Sequence, residues 1–129
     1  MPTIERFEDL EAWKIAREVS NEIYRLSRTG VLARDFGLRD QICRAATSVM
    51  SNIAEGFERD GDKEFANFLS LAKGSLGEVR SQLYIAFDQE YITEQEFSEV
   101  YRKTQENSRM VAGLISYLRS SAVKGLKFR

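Results

Sequence analysis

The chain contains no histidine, and that absence removes most of the chemistry a small protein could carry. Ser-His-Asp and Cys-His nucleophilic sites need an imidazole base. Common zinc sites and the Glu-x-x-His arrangement of di-iron bundles need imidazole ligands. No Gly-x-x-x-x-Gly-Lys-Ser/Thr phosphate loop is present. The single cysteine, Cys43, has no partner for an internal disulfide and fits a reducing interior. Carboxylates, lysines and tyrosines remain, but no spacing among them selects a reaction. The sequence therefore reads as a non-enzyme without metal or cofactor.

What remains is the chemistry of binding. Lys14, Arg17, Asn21, Arg25 and Arg28 recur at steps of three and four, one stripe of a helix. As a functional surface the stripe is an electrostatic footprint for RNA, with Trp13 and Tyr24 beside it as stacking groups. As structure it is a solvated face laced with weak ion pairs to Glu11, Glu18 and Glu22, and the two aromatics are core-edge packing. Arg119, Lys124, Lys127 and Arg129 form a second basic set, in a C-terminal stretch (119–129) with no acidic side chain. The rest of the chain carries 15 basic and 20 acidic side chains. A basic tail on an acidic body suits a polyanionic partner such as structured RNA, or simply a solubilising terminus.

The elements that must position these groups are helices. Pro2 is the only proline, so no ring interrupts a helix in the body. The periodicity predicts helices over about 9–28, 38–57, 62–90 and 93–121 within one domain, 1–129. Leu10, Trp13, Ala16, Val19, Ile23 and Leu26 form the first apolar stripe, which Gly30 closes. A loop through Arg34–Gly37 follows. Leu38, Ile42, Ala45, Val49 and Ile53 form the second stripe; Phe65, Phe68, Ala72, Leu76, Val79, Leu83 and Ala86 form the third. Asp62 reads as the cap of helix three, and Thr93–Glu96 as a capping box opening helix four. The apolar positions of helix four are Phe97, Val100, Val111, Leu114 and Leu118, interrupted by Thr104, Asn107 and Ser108. Short links after helices two and three imply an antiparallel up-down-up-down four-helix bundle, all-α. No run approaches the roughly 20 apolar residues of a membrane span, and Met1–Glu5 lacks a signal-peptide layout. The expected location is cytoplasmic.

Helix two carries more than one helix of a lone bundle should hide. Cys43, Ala46, Met50, Ala54 and Phe57 flank its core stripe, an apolar arc expected to be buried by another copy of the chain. On the other flank run Gln41, Arg44, Ser48, Asn52 and Glu55. They could contact phosphate or bases. The favoured reading is a hydrogen-bonded seam with Ser75, Glu78 and Gln82 of helix three, in which Arg44 pairs with Glu78.

Several runs together carry a resemblance. Phe7-Glu-Asp-Leu-Glu-Ala-Trp-Lys is followed by Phe36-Gly-Leu, Gln41-Ile-Cys-Arg-Ala-Ala-Thr-Ser, Asn52-Ile-Ala-Glu-Gly-Phe and Lys63-Glu-Phe-Ala-Asn-Phe-Leu, then Ala72-Lys-Gly-Ser-Leu-Gly-Glu. Nearly the whole chain resembles the small bundle proteins encoded in intervening sequences of bacterial 23S ribosomal RNA genes. The resemblance implies a ring-like homo-oligomer such as a pentamer. It also implies kinship with accessory proteins of diversity-generating retroelements, which associate with RNA and a reverse transcriptase. Two functions follow: an RNA-associated accessory or scaffold, and alternatively a protein–protein adaptor without nucleic acid.

Overall fold

The computed structural model describes residues 4–120. Four α-helices make up the body: α1 (Glu11–Ser27), α2 (Phe36–Glu58), α3 (Asp62–Asp88) and α4 (Glu94–Ser120). Each packs on the next, and α4 closes back on α1. The architecture is all-α, and this packing fits the antiparallel bundle that the short links imply. Two 3₁₀ turns, Phe7–Asp9 and Leu32–Arg34, fill positions read from sequence as the start of helix one and as loop. The second of these turns buries Leu32 beneath the α1–α2 connection.

Helix boundaries follow hydrogen-bond supply. Gly30 takes a left-handed φ of 65° after α1. Asp35, expected in a loop, caps α2: its Oδ1 accepts Leu38 N–H at 3.2 Å, so the helix starts two residues earlier than periodicity alone suggests. The same carboxylate accepts the Tyr91 hydroxyl through Oδ2 at 2.9 Å. One side chain thereby ties the α1–α2 connection to the α3–α4 turn at the same end of the bundle. Asp62 is the first residue of α3 and not its cap; Gly61, at φ 88°, holds the cap position. The capping box of α4 is formed, with Thr93 N–H on Glu96 Oε1 at 2.9 Å and Glu96 N–H on Thr93 Oγ1 at 3.0 Å.

The core runs the length of the bundle in two clusters, one around Ile53, Leu69 and Val111, the other around Ile23, Ile42 and Leu83. Thr104 and Asn107 do not interrupt the α4 stripe. Both are fully buried within it, continuing the row Val100, Val111, Ile115 and Leu118. Asn107 Nδ2 donates to the Ala12 carbonyl at 2.9 Å, and Thr104 Oγ1 to the Tyr101 carbonyl at 2.6 Å, which makes their burial affordable.

The α2–α3 hairpin closes at Gly56. A Cβ there would lie 2.6 Å from Phe68 Cβ, 3.1 Å from Phe65 Cδ1 and 3.3 Å from the Phe65 carbonyl oxygen. Backbone and aromatic wall leave no room to relax. Gly56→Ala is accordingly expected to destabilise by about 1–3 kcal/mol through overpacking, although alanine normally improves a helix interior by about 1 kcal/mol. Gly74→Ala, where nothing lies within 4 Å of the added carbon, should leave stability equal or higher. Denaturant melts of the two variants check the contrast.

The Asp35 bond raises the Tyr91 pKa above its ordinary value, chiefly because the hydroxyl must keep its proton to donate. A folded-state pKa above the unfolded one gives stability that is complete below the unfolded tyrosine value of about 10 and is lost as pH rises through the higher folded value. Tyr91→Phe should therefore melt below the wild type at pH 7, and the gap should close above about pH 10. A gap unchanged across that range would contradict the assignment.

Candidate nucleic-acid interface

The basic stripe of α1 is solvent-exposed, but its charges are not equally available. Lys14 Nζ pairs with Glu11 Oε2 at 3.2 Å, and Arg25 pairs with Glu22. Such exposed pairs within one helix are weak, about 0.3–0.5 kcal/mol, and a polyanion could compete for their cations. Arg17 lies 5.9 Å over the Trp13 ring and makes no ion pair among the described residues. Neither does Arg28, at the end of the same stripe. Trp13 is half-buried, packed edge-on to Phe7 with centroids 5.2 Å apart. Tyr24 is exposed, and its hydroxyl is hydrogen-bonded to Thr47 Oγ1 at 3.2 Å, joining α1 to α2.

Arg119 lies elsewhere. Its Nη2 donates to Ser70 Oγ at 3.4 Å, in a groove between α3 and α4. It is not part of the α1 surface, so the basic residues read from sequence form no single patch among the described residues. Lys124, Lys127 and Arg129 lie outside those residues.

The polar flank of α2 divides into two parts. Ser48, Asn52 and Ser75 form a compact seam: Ser75 Oγ donates to Ser48 Oγ at 2.9 Å, and Asn52 Nδ2 donates to Ser48 Oγ and to the Ser48 carbonyl, both at 2.9 Å. The expected Arg44–Glu78 pair is not made. Gln41, Arg44, Glu55 and Glu78 all face solvent, because α2 is turned so that only Ser48 and Asn52 meet α3. Glu55 pairs at 2.8 Å with Arg59, the residue that follows α2. That bond is the main reason the guanidinium holds its proton more firmly than usual. Gln82 is half-buried, and its Oε1 has no partner.

The apolar flank divides as well. Ala46 and Phe57 are buried by the chain's own core, and Met50 and Cys43 pack against that core as half-buried neighbours. Ala54 is half-buried too. A second copy is not needed to hide Ala46 or Phe57, because both belong to the chain's own core clusters, Phe57 edge-on to Phe65 of α3 with centroids 5.8 Å apart.

The tertiary structure assembles a feature that periodicity could not show. A groove of about 700 Å³ opens between the last turn of α1 and the first turns of α2, lined by Tyr24, Ser27, Arg28, Arg39, Cys43 and Arg44 among others. Arg39, which the sequence reading passed over, is held there by Asp40 at 3.0 Å and by the Ala33 carbonyl at 3.1 Å. Its guanidinium sits 4.7 Å over the Phe36 ring. The residues of this groove lie on two elements joined by a loop, and only the loop's path brings Arg28 to Arg44. Among the described residues no group of three or more acidic, cysteine or histidine side chains could hold a metal ion. Nor is any helix long and apolar enough to cross a membrane.

These features define a class, an all-α four-helix bundle with exposed arginine side chains on α1 and α2. Residues 8–113 match the family model of the 23S rRNA-intervening sequence proteins, and the chain belongs to that family. The fold is similar to a crystal structure of a protein of unknown function from the S23 ribosomal protein family of Bacteroides thetaiotaomicron. The TM-score is 0.74 at 22% identity, over 81% of this chain and 97% of that one. No curated protein matches the sequence.

Proposed function

We propose that the protein is a non-enzymatic helical bundle that associates with structured RNA as an accessory or scaffold. The observation that carries this is the set of exposed arginines on α1 and α2, Arg17, Arg28 and Arg44, whose guanidinium groups pair with no carboxylate among the described residues. Guanidinium groups that no carboxylate engages are free to meet phosphate, and membership of a family named for a ribosomal RNA segment agrees with that chemistry. Three phosphate contacts predict a plot of log affinity against log salt with a slope of about −2 to −3. Filter binding of a structured RNA should then weaken by roughly twentyfold to fortyfold between 50 and 200 mM salt. No retention at the lower salt would refute the reading.

A second reading concerns protein contacts and rests on α3. Leu71 and Ile85 stand on its outer face, 57% and 45% exposed, fourteen residues apart with exposed Gly74 and Glu78 between them on the same stripe. Copies of the chain associating through this face would bury both. Sedimentation equilibrium should give a multiple of 14.8 kDa, and Leu71→Asp should lower it to one chain because a desolvated carboxylate has no partner there. A monomer at micromolar wild-type concentration would sink this reading.

A further inference from the structure

The groove between α1 and α2 has the marks of a site for one particular chemical group. Three guanidinium groups and one carboxylate line it, a net charge of +2. Arg39 is immobilised by Asp40, by the Ala33 carbonyl and by the Phe36 ring, so it is already in place before any ligand arrives. Arg28 and Arg44 stand on opposite sides with their donors unused among the described residues. Between them lies an independent sign. Ser27 is only 4% exposed, lines the groove, and its hydroxyl has no hydrogen-bond partner. Buried polar atoms are seldom left unpaired, and an orphan at a site invites the question of what completes it. A ligand oxygen would.

The sign of that ligand is settled by magnitude. The carbonyl end of α1 contributes roughly half a negative charge, against the +2 of the side chains. The volume, about 700 Å³, lies within the range of sites that hold a molecule of nucleotide size, roughly 300–1,000 Å³. The exposed ring of Tyr24 forms part of the wall and offers a face on which a base can stack. A phosphodiester brings one charge, whereas a phosphate monoester carries about −1.5 to −2 at pH 7. The monoester is the better match.

We propose that this groove binds the phosphate monoester of a nucleotide, either free or at the end of an RNA strand. Arg28 and Arg44 hold the phosphate oxygens from two sides against the pre-set Arg39, the Ser27 hydroxyl donates to one of them, and Tyr24 lies beneath the base. The strand-end form rests on the RNA reading above; the free-nucleotide form does not.

Titration calorimetry with adenosine 5′-monophosphate and with adenosine tests the site directly. The nucleotide should bind at least tenfold tighter than the nucleoside, and inorganic phosphate should compete. Arg28→Gln combined with Arg44→Gln should weaken nucleotide binding at least tenfold without lowering the melting temperature, since neither side chain has a partner to lose. Ser27→Ala should weaken it several-fold while the melting temperature stays equal or rises, the opposite of what a structural hydroxyl would give. Equal binding of nucleotide and nucleoside, or a double variant that binds like wild type, overturns the proposal. Oligoribonucleotides with a 5′-phosphate or a 5′-hydroxyl separate the sources. A tenfold preference for the phosphorylated strand, abolished by the nucleotide, places an RNA end in the groove. Nucleotide binding with neither strand bound keeps the groove and removes the RNA reading. Equal binding of both strands with no nucleotide bound does the reverse.

Discussion

At Gly56 the backbone of α2 passes against Phe65 and Phe68 so closely that a single added carbon would collide with both residues. That approach sets the crossing of the α2–α3 hairpin, and the rest of the bundle is built outward from it. It brings the Phe57 and Phe65 rings into an edge-on contact with centroids 5.8 Å apart. It also places Ser48 opposite Ser75 farther along the same pair of helices, where their hydroxyls bond directly. With less separation between the helices, the seam needs only short side chains. Arg44 and Glu78, which flank this seam, are exposed.

The opposite end of the bundle is held by polarity. Asp35 serves as cap for α2 and as acceptor for Tyr91, so one carboxylate fixes both connections at that end. Asn107 plays a comparable part in the middle, reaching from α4 to an α1 carbonyl inside the core. Its Oδ1 has no partner, so the bond aligns α4 on α1 at some expense in stability. Directional contacts of this kind choose one alignment of helices that apolar stripes alone would leave free to slide.

Charge on this molecule is organised locally. A formal net charge of −1 says nothing about how it is spread. Lys14 and Arg25 are matched by acids one turn away on α1, and Arg59, just past α2, by Glu55 of that helix and by Glu64 across the turn. On the α1–α2 side, Arg17, Arg28 and Arg44 have no carboxylate partner among the described residues. The acids near them are engaged elsewhere: Glu11 and Glu22 within α1, and Glu18 with Lys103 of α4 at 3.1 Å.

Residues along one helix legislate for that helix, and so the sequence by itself determined the four helices, their apolar stripes, the Thr93–Glu96 capping box and the exclusion of imidazole chemistry. These depend on spacing of three and four and on the presence or absence of a residue type. The family was also legible, because its marks are contiguous runs. Helix rotation was not. Whether Arg44 faces α3 or solvent, and whether Ala46 and Phe57 are core or interface, turns on a rotation of α2 about its axis. The close packing at Gly56 and the caps decide that rotation. Asp35 looked like loop because part of its task is to accept a hydrogen bond from the Tyr91 hydroxyl, 56 positions away in sequence. Ser27 and Arg39 carried no periodic signal at all. Only the path of the α1–α2 connection brings them to one groove, since charge from two helices converges through tertiary packing and leaves no pattern along the chain.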